Sequence, residues 1–265
     1  MSQTPARWAL ILGASSGFGA AAARALAKNG YHIAGVHLDR KGTLPNVEAL
    51  MNDIKQAGRQ ALFYNINAAD AEKRQEVVAQ LQQHSSTPKG QIFVVMHSLA
   101  FGSLKPYIAQ DPKDALNQDQ MQMTLDVMAN SLVYWVQDLF AKQLIGQGSR
   151  IYAMTSSGGT RVWPNYGAVS AAKAALESHM RQLALELAPH GVAVNTIRAG
   201  VTDTPALRKI PGCEEMIKFS VMRNPHHRLT TPEDVARAIV ALSAAETQWL
   251  TGNVLGVDGG EDIVG

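Results

Sequence analysis

The feature that most constrains this chain is a glycine-rich loop between a short apolar segment and an alanine-rich helical pattern. Residues 8–12 run directly into Gly-Ala-Ser-Ser-Gly-Phe-Gly at 13–19. Such a loop turns tightly, brings backbone N–H groups close to a pyrophosphate and places a helix N-terminus beneath it. Because strand, loop and helix follow in this order, the segment predicts a dinucleotide site. The loop residues expected to bind are Gly13, Ser16, Gly17, Phe18 and Gly19.

Strand-like and helix-like segments alternate along the chain. The short aliphatic runs, typical of buried parallel strands, are 8–12, 31–37, 61–65, 91–97, 150–155, 192–197 and 253–257. The helical patterns between them are 19–28, 47–57, 71–83, 118–144, 166–188 and 232–244. This alternation predicts an α/β fold with a doubly wound, Rossmann-like parallel sheet and helices on both faces. Since no composition shift marks a second domain, one domain is expected over residues 1–265.

Composition narrows the function classes. The net charge of +2 is too small to favour a nucleic-acid or anionic-membrane partner. The one cysteine, Cys213, gives neither a disulfide nor a zinc spacing, and no metal site is expected. No run approaches the roughly 20 apolar residues of a membrane span. A soluble protein of the cytoplasm is therefore predicted.

Residues 202–228 form the one long segment without clear periodicity. They contain Pro205, Pro211, Pro225 and Gly212 and follow the carboxyl end of a predicted strand. Loops in that place usually line or cover the ligand crevice of α/β folds. We expect a substrate-covering loop, and a disordered insertion is the alternative.

The end of the second strand bears on the choice of nicotinamide cofactor. An acidic residue there favours free ribose hydroxyls, whereas a basic one favours a 2′-phosphate. The chain reads His-Leu-Asp-Arg-Lys at 37–41, with His37 in the usual selector place. The basic pair beginning at Arg40 predicts NADPH, while Asp39 leaves NADH open. An exposed turn is the alternative interpretation of the basic pair.

Several segments together resemble the short-chain dehydrogenase/reductase superfamily over nearly the whole chain. Beyond the glycine loop they are 65–66, 195–200, 228–236 and 257–260. The resemblance implies further cofactor contacts outside that loop. These are His37, Arg40, Asn65, Ile66, Ser98, Leu99, Lys173, Gly200, Thr202 and Thr204.

Three places depart from the carbonyl reductases of that superfamily and are similar to bacterial enoyl-acyl-carrier-protein reductases. Carbonyl reductases usually carry Asn-Asn-Ala-Gly after the fourth strand, where this chain has His-Ser-Leu-Ala-Phe at 97–101. They carry Tyr four residues before Lys, whereas here Val169 holds that place and Tyr166 stands seven residues before Lys173. They carry Pro-Gly after the sixth strand, where this chain has Ala-Gly at 199–200.

Two further positions refine the resemblance. The main enoyl reductase type carries a second tyrosine ten residues before the catalytic one, where this chain has Ser156. That serine also fits the active-site serine of the superfamily, and the mixture resembles the NADPH-using variant of the enzyme. Met128 stands where many members carry an asparagine on the fourth helix, so a proton relay through that asparagine is not implied.

The spacing of Tyr166 and Lys173 carries a chemical consequence. Seven helical residues make about two turns, so the two side chains share a face. The tyrosine is displaced by roughly 4.5 Å from its place in carbonyl reductases. In enoyl thioester reduction, hydride reaches the β-carbon, three bonds from the thioester oxygen, and the donor hydroxyl must stand farther from the nicotinamide. The shift therefore predicts enoyl reduction.

The predicted catalytic residues are Tyr166, Lys173 and Ser156. Tyr166 would stabilise the enolate oxygen, and Ser156 would add a hydrogen bond. Lys173 would bind the nicotinamide ribose and bias Tyr166 through its charge. The expected substrate is an enoyl thioester on acyl carrier protein, in fatty-acid synthesis. A homotetramer or homodimer is also expected.

Two other functions stay open. One is a carbonyl or 3-oxoacyl reductase of the same superfamily, and the other is a nucleotide-binding protein without turnover. His97 has two equally weighted interpretations, a core histidine or a cofactor contact. Phe101 and Trp163 are interpreted as packing residues.

Overall fold

A seven-stranded parallel sheet forms the centre of the molecule in the computed structural model, which describes residues 7–84 and 92–264. The strands are β1 (Arg7–Leu12), β2 (Tyr31–His37), β3 (Ala61–Asn65), β4 (Ile92–His97), β5 (Arg150–Thr155), β6 (Ala193–Ala199) and β7 (Val254–Val257). Their order across the sheet is β3-β2-β1-β4-β5-β6-β7. The chain winds outward from β1 to β3, returns to β4 and continues to β7. Ligands bind at the carboxyl ends of strands beside such a switch point.

Helices cover both faces of the sheet. They are α1 (Gly17–Lys28), α2 (Leu44–Gln56), α3 (Ala71–His84), α4 (Gln118–Leu125), α5 (Ser131–Ala141), α6 (Gly167–Leu187), α7 (Cys213–Arg223) and α8 (Pro232–Leu242). One core lies between the sheet and helices α3, α5 and α6, and the other lies beneath α1, α2 and α8. No helix in the described ranges is long and apolar enough to cross a membrane.

Strand β1 shows why the strand sequences are aliphatic without interruption by polar residues. Its residues Leu10 and Leu12 pack into the first core, whereas Ala9 and Ile11 pack into the second. Successive strand side chains point to opposite faces of a sheet, and here both faces are covered. The predicted doubly wound fold is confirmed, and the strand boundaries agree with prediction to within two residues. Gln91, predicted to begin the fourth strand, lies outside the described residues.

The predicted helix 118–144 is wrong as a single continuous α-helix. Helix α4 ends at Leu125, a π-helical turn spans Asp126–Asn130, and α5 ends at Ala141. π-helical turns inside helices frequently occur at functional sites. This one carries Met128, which is buried and lines the cleft described below.

Residues 202–228 contain a helix that periodicity did not reveal. Gly212 adopts a left-handed conformation with φ 76° and leads into α7. The helix mixes charged and apolar residues without a strong periodic pattern, so the sequence alone predicts a loop there. Residues on both sides of Gly212 line the cleft.

Candidate active site

A cleft of about 480 Å³ lies at the carboxyl ends of β4, β5 and β6. All three predicted catalytic residues, Tyr166, Lys173 and Ser156, line it. Predicted cofactor contacts also line it, namely Phe18, Ser98, Leu99, Gly200, Thr202 and Thr204. The topology therefore gathers these predicted residues, which are separated in sequence by as many as 186 positions (18 to 204), into one space.

Lys173 lies at the floor of the cleft and is 6% exposed. Its Nζ donates a hydrogen bond to the main-chain carbonyl of Met154 at 2.7 Å. Burial lowers the pKa of Lys173 to about 8, and the nearby carboxylate of Glu177, one turn along α6, acts in the opposite direction. Glu177 accepts a 2.6 Å hydrogen bond from the hydroxyl of Thr155. These contacts join α6 to the end of β5.

Tyr166 is the N-cap residue of α6 rather than a residue of its first turn. Its carbonyl accepts the Ser170 N–H at 2.8 Å, which begins the helical hydrogen bonding. Burial raises the pKa of the phenol, while a hydrogen bond with Ser156 acts in the opposite direction. A raised pKa keeps the phenol protonated at neutral pH, so Tyr166 is a hydrogen-bond donor there.

Ser156 follows β5 directly and faces Tyr166 across a tight glycine turn. Its Oγ accepts the Gly158 N–H at 3.0 Å, which orients the side chain. A Cβ at Gly158 would lie 2.6 Å from Cε1 of Tyr166, so only glycine permits the observed approach of the ring. A Cβ added at the neighbouring Gly159 would lie 3.6 Å from Cβ of Lys173, which is an ordinary van der Waals distance.

Val169 occupies the place that the catalytic tyrosine holds in carbonyl reductases. It is 5% exposed and forms part of the apolar cleft wall. A Cβ at Gly102 would lie 2.9 Å from Val169 Cγ2 and 2.8 Å from the Met128 sulfur, so this wall is closely packed. Consequently no hydroxyl stands at the position four residues before Lys173.

The glycine loop has the geometry that a pyrophosphate cradle requires. Gly13 and Gly17 have left-handed φ angles of 87° and 52°. A Cβ at Gly13 would lie 2.4 Å from the Ser98 carbonyl oxygen, and one at Gly19 would lie 2.0 Å from the Gly13 carbonyl oxygen. Ser16 caps α1 without using its side chain in the cap. The loop therefore fits a dinucleotide at the helix N-terminus.

At the end of β2, the buried ring of the predicted selector residue His37 lies next to the Asp39 carboxylate. Its Nδ1 lies 3.0 Å from that carboxylate. Partial burial raises the pKa of Asp39, but hydrogen bonds with Thr43, Ser15 and His37 outweigh it and hold the pKa below its usual value. Asp39 is therefore a charged carboxylate beside the glycine loop. Sequence reasoning noted it only as an alternative, although its place after the strand was the available signal.

Three other predicted cofactor contacts, Asn65, Ile66 and Arg40, lie at this end of the sheet. Asn65 pairs with His37 across β2 and β3, and its side chain binds both the N–H and the carbonyl of Asp39 at 2.9 and 3.0 Å. The Ile66 N–H donates to the His37 carbonyl at 2.8 Å. Arg40 is exposed. These contacts hold the end of β2 against the end of β3.

His97 is a core histidine in this structure. It is fully buried, and its Nε2 lies 2.9 Å from Ser131 Oγ, which itself donates to the Val127 carbonyl at 2.8 Å. Because the serine hydrogen is used, His97 Nε2 is the donor of that pair. Burial, followed by the nearby charge of Lys173, lowers the pKa of His97 to about 3, so the ring stays neutral.

Among the cleft residues that were not predicted individually are two aromatic and two charged side chains. Phe101 and Trp163 were interpreted as packing residues, but both line the cleft, and Phe101 is 56% exposed. The structure also places Arg223 and Glu261 on the cleft wall. Arg223 lies within segment 202–228, which was predicted to cover the substrate, whereas Glu261 follows β7 and belongs to no predicted motif.

Known proteins place the chain among oxidoreductases. The family model for enoyl-(acyl carrier protein) reductase matches residues 13–261. An NADH-dependent enoyl-acyl-carrier-protein reductase of Synechocystis sp. is 32% identical over 69% of each chain. A 1-cyclohexenylcarbonyl-CoA reductase of Streptomyces collinus is 28% identical over 96% of this chain and 86% of its own. The structure of the NADH-dependent enoyl-acyl-carrier-protein reductase of Aquifex aeolicus superposes on this one with a TM-score of 0.83. The superposition covers 98% of this chain and 97% of the other at 24% identity, and it supports the fold.

Proposed function

The chain belongs to the enoyl-(acyl carrier protein) reductase family of short-chain dehydrogenase-type oxidoreductases, and from this premise we propose that it reduces trans-2-enoyl thioesters with a nicotinamide cofactor. One observation carries the proposal. Tyr166 lies seven residues before Lys173 in the same cleft, and buried Val169 fills the position four residues before it. This arrangement supports a phenol donor positioned for an enoyl thioester.

The cofactor would be held by the glycine loop and the cleft floor. Backbone groups around Gly13, Gly17 and Gly19 would receive the pyrophosphate, and Lys173 would bind the nicotinamide ribose. When bound, the nicotinamide supplies the hydride that reaches the β-carbon of the substrate. Arg40 favours NADPH, whereas the charged Asp39 beside the loop keeps NADH competitive.

Tyr166 would act on the thioester oxygen. Its protonated phenol donates a hydrogen bond to that oxygen as negative charge builds there during enolate formation. Ser156 orients the phenol and is itself fixed by the Gly158 N–H. Because these groups are already placed before reaction, little reorganisation is needed as the charge develops.

A ketone would meet a different environment. Its oxygen is bonded to the carbon that receives hydride, so its donor must stand closer to the nicotinamide. Val169 at that position is apolar and packs against Gly102 and Met128. This arrangement favours the enoyl thioester over a ketone or 3-oxoacyl thioester.

The biological setting is proposed on the same basis. The substrate would be carried by acyl carrier protein in fatty-acid synthesis in the cytoplasm, and the enzyme would assemble as a homotetramer or homodimer. Segment 202–228 would cover the bound substrate. Its residues Leu207 and Ile210, together with Met216 on α7, line the cleft and provide an apolar cover.

The proposal is tested by following cofactor oxidation with purified protein and a panel of thioesters. Trans-2-enoyl thioesters on acyl carrier protein and on coenzyme A are compared with acetoacetyl thioester and simple ketones, each with NADPH and NADH. We expect enoyl-dependent oxidation with little ketone reduction. Oxidation with ketones alone would move the protein to the carbonyl reductases. No oxidation with any substrate, while cofactor still binds, would favour a nucleotide-binding role.

The spacing argument has its own test in the same assay. In the double variant Tyr166→Phe with Val169→Tyr, the phenol moves to the place it holds in carbonyl reductases. We expect enoyl reduction to be lost in this variant. Enoyl reduction comparable to that of the unmodified protein would contradict the spacing argument.

A further inference from the structure

A short loop, residues 157–165, joins the two proposed catalytic residues Ser156 and Tyr166. It begins with the tight turn that Ser156 caps. The Arg161 N–H donates to the carbonyl of Ser157, the next residue after Ser156, at 2.9 Å. A displacement of Arg161 is therefore transmitted through this hydrogen bond to the turn that Ser156 begins.

The side chain of Arg161 ties this loop to the turn after β7, residues 258–263, here called the β7 turn. Its Nη2 donates to the Asp262 main-chain carbonyl at 3.0 Å and lies 2.9 Å from Asp262 Oδ1. The other carboxylate oxygen of Asp262 lies 3.1 Å from Nη2 of Arg198 on β6. The Asp262 side chain is only 19% exposed. Because one shielded carboxylate joins two guanidinium groups, the contact is expected to be stronger than an isolated surface ion pair.

The backbone of the β7 turn fixes the position of Asp262. The Asp258 carboxylate accepts the Gly260 N–H at 3.0 Å and the Asp262 N–H at 3.1 Å. Gly260 has a left-handed φ of 85°, which favours glycine at this point of the turn. The turn is therefore a rigid support to which the loop before Tyr166 is attached.

The same turn also contacts two other walls of the cleft. Glu261 accepts the N–H of Val201, which lies between two of the predicted cofactor contacts, at 3.1 Å. Asn224, at the end of α7, donates its side-chain N–H to the Asp258 carbonyl at 2.8 Å. The β7 turn thus connects the loop before Tyr166 with the cofactor segment and with the segment expected to cover the substrate.

We propose that Asp262 is a positioning residue that, through Arg161, holds the loop between Ser156 and Tyr166 at a fixed place relative to the cofactor segment. The inference rests on the proposed function, because it assigns a role in that reaction. Arg161 lines the cleft, whereas Asp262 is not among the described residues that line it, so Asp262 acts through Arg161. Loss of its carboxylate releases the loop, and misplacing a catalytic group by about 1 Å can cost about 10²-fold in rate.

The kinetic test compares Asp262→Ala and Arg161→Met with the unmodified protein. We expect about a tenfold loss of kcat in Asp262→Ala, with KM and the NADPH dissociation constant within about twofold, because the binding groups keep their places. The double variant is expected to lose no more than the more impaired single variant, since both substitutions remove the same contact. Unchanged kcat in Asp262→Ala, or losses that multiply in the double variant, would overturn the inference.

A matched control is the part-buried ion pair of Arg74 with Asp138, two described residues that do not line the cleft. Its N···O distance is 2.6 Å, so Asp138→Ala also removes a shielded ion pair. We expect this variant to retain kcat even where its melting temperature falls. A loss of kcat in Asp138→Ala equal to that in Asp262→Ala would show a general effect of stability and would overturn the inference.

Hydrogen exchange of the protein without ligands separates this inference from the proposed function, because it requires no turnover. Backbone amides of residues 157–163 are expected to exchange about fivefold faster in Asp262→Ala than in the unmodified protein, since local opening controls the rate. In Asp138→Ala their exchange stays unchanged. Faster exchange confined to Asp262→Ala would support the inference even if enoyl thioesters were not reduced, whereas unchanged exchange in that variant would overturn it.

Discussion

The Lys173 ammonium group donates its hydrogen bond to the main-chain carbonyl of Met154 at 2.7 Å, which ties helix α6 to the end of strand β5. Ser156 follows two residues after Met154, and Tyr166 caps the helix that carries Lys173. The bond therefore fixes the two chain segments that supply the three proposed catalytic residues. Their relative positions depend on a main-chain contact that no side-chain substitution at Met154 removes directly.

We expect the activity to fall as pH rises through about 8. Burial lowers the pKa of Lys173 to about 8, so the lysine is charged below that pH and becomes neutral above it. Its positive charge is proposed to hold the ribose, and kcat/KM reports the pKa values of the free enzyme. The measurement is the pH profile of kcat/KM with a trans-2-enoyl thioester.

Glu177 supplies the variant that tests this pH assignment. Its carboxylate acts to raise the pKa of Lys173, so Glu177→Gln is expected to shift the alkaline limb of the profile to lower pH. Glu186→Gln, an exposed position farther along the same helix, serves as the matched control and is expected to leave the limb in place. If the alkaline limb of the kcat/KM profile lay at the same pH in Glu177→Gln and in the unmodified protein, this would count against Lys173 as the titrating group.

The glycine turn beside Tyr166 gives a second prediction. Gly158→Ala would place a methyl 2.6 Å from the tyrosine ring and must displace it, whereas Gly159→Ala would add only an ordinary contact. Because misplacing a catalytic group by about 1 Å can cost about 10²-fold in rate, we expect at least about a tenfold loss of kcat in Gly158→Ala. Gly159→Ala is expected to stay within about threefold of the unmodified protein. Equal losses in the two variants would show that the ring position is unimportant.

Particular residues show how far sequence reasoning reached. The seven strands were predictable because aliphatic runs such as Ala9–Leu12 are buried on both faces, and the glycine loop was recognisable from its order with strand and helix. The π-helical turn at Asp126–Asn130 was missed because its residues keep a helix-like apolar pattern. The contacts of Lys173 with Met154 and of Glu261 with Val201 depend on segments that meet only in the folded chain.

The close packing within the glycine loop, residues 13–19, predicts that a substitution there weakens cofactor binding selectively. At Gly19 a Cβ would lie 2.0 Å from the Gly13 carbonyl oxygen, so Gly19→Ala must move the loop away from β1. We expect cofactor affinity to fall by about tenfold or more, as measured by fluorescence titration with NADPH. Gly42→Ala, where a Cβ meets nothing within 4 Å, is the control and should bind normally. Normal cofactor affinity in Gly19→Ala would contradict the proposed cradle.

Asp39 predicts a change in cofactor preference. Its carboxylate is charged beside Ser15 of the glycine loop and would repel a 2′-phosphate. In Asp39→Asn we expect the ratio of kcat/KM with NADPH to that with NADH to rise by about tenfold, since a like charge costs on the order of 1 kcal/mol at partly exposed sites. Asp119→Asn, at an exposed site on α4, is expected to leave the ratio unchanged. An unchanged ratio in Asp39→Asn would exclude this carboxylate as a selector.

The proposed role of Tyr166 in enoyl reduction is tested most directly in the Tyr166→Phe variant. The measurement is single-turnover oxidation of the cofactor with a trans-2-enoyl thioester. Removing one donor to a developing oxyanion costs about 10²–10³ in rate, so a loss of that size is predicted while NADPH still binds with normal affinity. Tyr134→Phe, on α5 and outside the cleft, should retain full activity. A rate for Tyr166→Phe within about twofold of the unmodified protein would contradict the proposed role of Tyr166.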